Sequence, residues 1–164
     1  MMHVDDSVEK IFLKPGEIYL SERPSIVSTV LGSCISVTMF SPERHIGAIC
    51  HAVLPEEKTA GEGTRYVDSA ILAMLKSFDK YGISRSRIEV KLFGGADMLS
   101  AGSVNGMGGS VGRQNIEIAV QVVKRENLRL MASDLGGAHG RKIFFNTHTG
   151  EILLKRLRKG GRST

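Results

Sequence analysis

The sequence has no tryptophan and few other aromatics, six Phe and three Tyr. Ile, Val, Leu and Met must therefore fill the interior. No apolar run approaches the ~18 residues needed to span a bilayer. The opening MMHVDDSVEK lacks the basic-then-apolar order of a secretory signal. The chain is thus expected to be cytoplasmic, with no membrane insertion. Only two cysteines occur, Cys34 and Cys50, and in a reducing compartment both are expected to be free thiols. His3, His45, His139 and His148 show no metal-ligand spacing, so neither a zinc site nor another cofactor is expected. The glycine-rich segment ending Asn105-Gly106-Met107-Gly108-Gly109-Ser110-Val111-Gly112 lacks the Gly-Lys-Ser/Thr ending of a phosphate loop. A rim of the site, a docking surface or plain turns are the readings left to it. Low-complexity tracts and internal repeats are also missing.

What is present suits one globular domain over residues 1–164, with a core of about 10–157 and a flexible basic tail at 158–164. A chain of this length can bury about two thirds of its unfolded surface without disulfides or metals. The net charge is +5, and its clearest cluster is Lys155-Arg156-Leu157-Arg158-Lys159 with Arg162. Without interleaved aromatics this reads as a solvated end and not a nucleic-acid patch. Positive charge would favour approach to an acidic protein partner.

Extended segments are expected at 10–20, broken by Pro15-Gly16, at Ile26 to Phe40, broken at Leu31-Gly32-Ser33, and at Ile46 to Leu54. Val67, Ala70, Ile71, Met74, Leu75 and Phe78 recur at helical spacing, with Gly82 as the stop. A second helix is expected with Ile116, Ala119, Val120 and Val123 on its buried stripe. Further strands are expected at Arg87 to Phe93, Leu128 to Ala132, Lys142 to Phe145 and Glu151 to Leu157. Strands outnumber helices and mostly follow one another through hairpins, which indicates an α+β fold or a mixed layered one.

The hairpin around Ser41-Pro42-Glu43-Arg44-His45 carries the chemistry. Centring its turn between Pro42 and Glu43 pairs Ile35 with Cys50, Val37 with Ala48 and Met39 with Ile46, a continuous apolar face. Cys34, Ser36 and Thr38 then share the other face with His51, Ile49 and Gly47, and Cys34 lies directly opposite His51. A one-residue slip would oppose the two cysteines but scatter polar groups over both faces, so it is disfavoured. A thiol beside an imidazole can attack a carboxamide or ester carbon, and a protonated imidazole would lower the thiol pKa. Gly32-Ser33 would let backbone N–H groups turn toward an oxyanion. A packed strand cysteine beside a satisfied histidine accounts for the same residues equally well. On that reading the chain could be a silent adaptor; on the first, a thiol enzyme acting on proteins or small molecules.

The motifs Val27-Ser28-Thr29-Val30-Leu31-Gly32-Ser33-Cys34, Gly47-Ala48 and His51 with Leu54-Pro55 resemble the chemoreceptor glutamine deamidases called CheD. So do Arg65-Tyr66-Val67-Asp68, Lys91-Leu92-Phe93-Gly94-Gly95-Ala96, Gly112-Arg113-Gln114-Asn115, Asp134-Leu135-Gly136-Gly137, Gly140-Arg141-Lys142 and Thr149-Gly150. The resemblance runs in order over about residues 10 to 157. It implies a cysteine hydrolase that converts glutamines of methyl-accepting chemoreceptor helices to glutamates through a Cys thioester, releasing ammonia. Cys34 takes the nucleophile's place and His51 the base's. The family's third position, a Thr six residues before the Cys, falls on Ser28, with Thr29 adjacent. The resemblance also implies a layered α/β/β sandwich with mixed, largely antiparallel sheets and two main helices, similar to deamidases of the cytotoxic-necrotizing-factor type. It further implies a CheC-type phosphatase as partner. The alternative consistent with it is a catalytically weak or silent adaptor that docks to such a phosphatase or to a receptor.

Overall fold

A computed structural model of the protein describes residues 7–58, 63–98, 109–158 and 162–163. They form two helices and two mixed five-stranded sheets. The strands are β1 (Glu9–Phe12), β2 (Ile18–Ser21), β3 (Ser25–Leu31), β4 (Ile35–Ser41), β5 (Ile46–Cys50), β6 (Glu89–Gly94), β7 (Arg129–Leu135), β8 (Arg141–Asn146), β9 (Ile152–Arg158) and β10 (Arg162–Ser163). The helices are α1 (Val67–Lys80) and α2 (Val111–Arg125). One sheet has the order β2-β5-β4-β6-β7 and the other β1-β3-β8-β9-β10. Among the described strands β1 pairs with β3 and β6 with β7 in parallel, and the other strand pairs are antiparallel. No described helix is long and apolar enough to cross a membrane.

The layering follows from which side chains each face buries. Ile35, Val37, Met39, Ile46, Ala48 and Cys50 pack with Ile71, Met74 and Phe78 of α1 and Ala119 and Val122 of α2. The opposite face of the same sheet sends Ile49 and Phe93 against Val27 and Leu31 of β3 and Ile143 and Phe145 of β8. Helices, helix-side sheet and outer sheet are therefore three successive layers with two apolar interiors.

Helix α1 buries all six residues expected from its spacing, and Gly82 follows with φ +72°. Helix α2 is capped by Ser110, whose Oγ accepts from the Arg113 N–H at 3.2 Å. Its buried stripe is Gly112, Asn115, Ala119, Val122 and Val123. Val120, expected inside, is exposed. Counting only apolar side chains missed that a glycine and an asparagine face the core.

The break expected at Leu31-Gly32-Ser33 within Ile26 to Phe40 is present, and there the chain passes from β3 of the outer sheet to β4 of the helix-side sheet. The hairpin register needs correction. Met39 faces Ala48, Ser41 faces Ile46, and Ile35 bridges Ala52. The turn occupies residues 42–45 and closes on His45 at φ +53°. The pairing is thus shifted by two residues from the expected one. A shift of two leaves every side chain on its expected face, so the apolar face and the Cys34–His51 face both survive.

Candidate functional site

His51 follows β5 directly. Its N–H donates to the Glu17 carbonyl at 3.1 Å and its carbonyl accepts from the Gly16 N–H at 2.7 Å, so the backbone is held on both sides. The imidazole is only 3% exposed and lies on the face that meets the outer sheet. Thr29 of β3 comes from that sheet and places Oγ1 2.6 Å from His51 Nδ1. The Thr29 hydroxyl also donates to the Leu13 carbonyl at 2.9 Å. A hydroxyl has one proton, and a carbonyl can only accept. The Thr29 proton therefore goes to Leu13, and His51 Nδ1–H must donate to Thr29. That assigns the tautomer: Nε2 carries the free lone pair.

Ser28, the residue that the family spacing selects, lies elsewhere. It pairs with Phe12 of β1 and Phe144 of β8 and lines an outward groove with Lys10, Phe12, Ile26 and Phe144. Alternation along β3 turns Thr29 inward and Ser28 outward. The hydroxyl that touches the imidazole belongs to Thr29.

Cys34 sits where the chain enters the helix-side sheet and is half-buried. Extended one step past the Ile35–Ala52 bridge, the register would set Cys34 on the face of His51 and diagonal to it, where neighbours in an antiparallel pair are about 7–8 Å apart at Cα. Direct opposition, expected from the sequence, does not occur. The carbonyls around the thiol are all held: Gly32 O by Ala96 N–H at 3.0 Å, Cys34 O by Gly95 N–H at 2.9 Å, and Ser33 O by Asn115 Nδ2 at 2.8 Å. Cys50 is fully buried in the helix-side interior, and burial pushes its thiol up to about 12.

Electrostatics depart from the sequence expectation of a thiolate beside a protonated imidazole. Burial pushes the Cys34 thiol above its ordinary value and the His51 imidazole below its own. Both shifts favour the neutral forms. The resting pair is thus a thiol and a neutral imidazole, with Nε2 free to take a proton.

Other histidines lie apart. His45 and His148 stack at 4.6 Å between ring centroids, where the β4–β5 and β8–β9 turns meet. His139 lines a groove with Asp134, Gly136 and Arg156. Among the described residues no three of His, Cys, Asp and Glu gather as metal ligands would. Most of the glycine segment, residues 99–108, lies outside the described residues, so its expected place at a rim or docking surface does too. Sequence reasoning left Ser28 and Thr29 both open as the hydroxyl beside His51 and gave Asn115 no role. Asn115 was visible only as the last residue of the family motif Gly112-Arg113-Gln114-Asn115 and as a polar residue among apolar ones at helical spacing.

Fold and site together define a mixed α+β protein with a thiol, an imidazole and a hydroxyl gathered about the contact of two sheets, the group set of acyl-transfer chemistry. The chain belongs to the CheD family. The family model, described as CheD chemotactic sensory transduction, matches residues 53–156. A probable chemoreceptor glutamine deamidase CheD 2 of Geobacter sulfurreducens is 50% identical over 149 residues, covering 91% of each chain. A probable chemoreceptor glutamine deamidase CheD of Maridesulfovibrio salexigens is 41% identical over 160 residues, 93% of this chain and 94% of the relative. Another so named, from Thermococcus kodakarensis, is 35% identical over 149 residues, 88% and 91% of the two chains. The resemblance read from the motifs is thereby borne out.

Proposed function

We propose that this chain is a protein-glutamine deamidase acting on the cytoplasmic helices of chemoreceptors, with Cys34 as nucleophile, His51 as base and Thr29 as the group that orients His51. The observation that carries the reading is the Thr29–His51 hydrogen bond, which leaves Nε2 unprotonated on the face shared with Cys34. The names of the relatives supply the substrate class.

In the first half-reaction His51 Nε2 takes the Cys34 thiol proton as the sulfur attacks the side-chain carbonyl carbon of glutamine. The N–H groups of Ser33 and Cys34 would serve as donors to the resulting oxyanion. Collapse breaks the carbon–nitrogen bond, and His51 returns its proton to the leaving nitrogen, which departs as ammonia. The thioester is then hydrolysed: His51 takes a proton from water, the hydroxide adds to the carbonyl carbon, the carbon–sulfur bond breaks, and His51 returns its proton to the departing sulfur. Glutamate leaves and the thiol is restored. Each conversion places a negative charge on a receptor helix, and repulsion between such charges can bias a signalling equilibrium.

The family resemblance adds a cytoplasmic, single-domain protein, a fold akin to cytotoxic-necrotizing-factor-type deamidases, and a CheC-type phosphatase as a docking partner. The decisive experiment incubates the protein with receptor cytoplasmic fragments and maps amide-to-acid conversion by mass spectrometry. Conversion at specific glutamines is expected, abolished by Cys34→Ala and retained by Cys50→Ala. A folded protein that converts no glutamine, or a Cys34→Ala variant that converts them normally, would falsify the reading.

A further inference from the structure

Past the β4–β5 ladder an isolated bridge joins Ile35 and Ala52, one step short of Cys34, and exchanges both hydrogen bonds, at 2.9 and 2.8 Å. Beyond it the N–H groups of Val53 and Leu54 both turn away to the Arg65 carbonyl, at 2.7 and 3.0 Å. The segment holding Cys34 and the segment following His51 therefore part at this point, and the carbonyls of Ser33 and Val53 lose their ladder partners. Asn115 of α2 fills the gap. Its Nδ2 donates to Ser33 O at 2.8 Å and to Val53 O at 3.1 Å.

We propose that Asn115 is a positioning residue of the site, its side-chain amide tying the Cys34 segment to the His51 segment where the backbone ladder stops. The inference rests on the deamidase reading above and extends it to a residue that does not touch the substrate.

Three features argue that Asn115 is there for this tie and not for packing. Its side chain is fully buried on a stripe otherwise made of Gly112, Ala119, Val122 and Val123. Its Oδ1 is buried and has no hydrogen-bond partner among the described residues. The side chain is therefore held by what its Nδ2 donates to, and its acceptor plays no part in the tie. Third, the task needs two donors on one neutral atom, which an amide nitrogen supplies and a hydroxyl or carboxylate does not. With Gly32 O and Cys34 O held by Ala96 and Gly95, the Asn115 bond completes a run of three fixed carbonyls. The orientation of the Ser33 and Cys34 N–H groups depends on that run.

The test uses Asn115→Asp and Asn115→Leu in the full chain, each first shown to fold by circular dichroism and thermal melting. At about pH 8 an aspartate here has no donor, and a misplacement of the thiol by about 1 Å costs up to about 100-fold in rate. A 10- to 100-fold loss in kcat is therefore expected for both variants, with KM for receptor fragments nearly unchanged. Burial raises the pKa of an aspartate, so lowering the pH restores one donor. The ratio of Asn115→Asp to wild-type kcat should rise toward about pH 6, while the Asn115→Leu ratio stays flat. A purely structural loss would lower the melting temperature without this difference in pH profile. Wild-type kcat in both folded variants, or parallel pH ratios for Asp and Leu, overturns the proposal. Iodoacetamide labelling of Cys34 gives a second readout. If wild-type protein deamidates nothing, the functional reading has failed, yet unchanged labelling in both variants would still overturn the positioning role and altered labelling would uphold it.

Discussion

With its proton given to Leu13, Thr29 can serve His51 only as an acceptor, and this defines what its loss should do. In Thr29→Ala the buried Nδ1–H loses its partner, and the ring is free to move its proton to Nε2, the tautomer that cannot act as base. Misassigned tautomers are costly where the orienting group is a carboxylate; for a neutral hydroxyl a loss of about 10- to 100-fold in kcat is expected. Thr29→Ser should keep most activity, because it keeps the acceptor. Ser28→Ala should stay within about twofold of wild type, as outward substitutions generally do. Initial rates of glutamate formation decide it: a crippled Ser28→Ala beside a normal Thr29→Ala would return the role to Ser28. The sequence could not choose between them. The two faces of β3 read Ile26-Ser28-Val30 and Val27-Thr29-Leu31, each apolar, hydroxyl, apolar, so alternation is silent. The pKa directions of the pair were equally hidden, since burial, which raises Cys34 and lowers His51, depends on a second sheet that no local pattern announces. From those directions, labelling of Cys34 should begin to climb only above the ordinary thiol range of about 8.5 and shift back down in urea. Labelling that stays fast below that range in the folded protein would mean an ion pair at rest.

Among the elements, faces were legible and registers were not. Period-two patterning put Cys34 with His51 and Cys50 with the apolar interior, and both placements hold because a slip of two residues conserves facing. Only the turn distinguishes the two registers, and its four-residue span depends on His45 at φ +53°, which no hydrophobic pattern encodes. The glycines after β6 show the reverse case, where composition was visible and purpose was not. Gly94 has φ +109°, and a Cβ on it would lie 2.1 Å from the Cys34 carbonyl oxygen. The strand can therefore pass Cys34 closely only without a side chain. Gly94→Ala is expected to displace Cys34, the proposed nucleophile, and remove most activity. Gly82→Ala provides the control: its φ is +72° but nothing lies within 4 Å of an added Cβ, so it should cost about 1 kcal/mol of stability and leave kcat unchanged. Equal activity in the two folded variants would show that the close approach at Gly94 does not hold the thiol.

At the scale of the whole molecule the site exists only where two layers meet. His51 comes from the helix-side sheet, Thr29 from the outer one, and Cys34 from the crossover between them, so the docking of the sheets is itself a condition for the proposed chemistry. Arg141 of β8 fastens the end of the contact nearest Cys34. Its guanidinium is buried and donates to Asp134 Oδ1 at 2.6 Å, to Gly94 O at 3.3 Å and to Gly136 O at 2.8 Å, while Arg156 of β9 donates to Asp134 Oδ2 at 2.6 Å. Asp134 sits on β7, in the other sheet. Burial raises its pKa, but hydrogen bonds from Arg156 and Arg141 outweigh burial and hold the carboxyl below its usual value. A depressed folded-state pKa contributes stability that is present above the unfolded value of about 3.9 and is lost as pH falls through the folded one. Asp134→Ala leaves a buried cation without its carboxylate and should cost about 3 kcal/mol at neutral pH, read as a lower urea midpoint. Because that contribution is already gone in the variant, its stability should fall less steeply than wild type as pH drops below about 4. Activity should fall with it even where the variant is folded, since the Arg141 bond to Gly94 O steadies the backbone that passes Cys34. Urea melts from neutral to acid pH, run beside glutamate formation at neutral pH, separate the two effects. Parallel acid limbs for the two proteins would show that Asp134 is not the carboxylate whose protonation loosens the sheets.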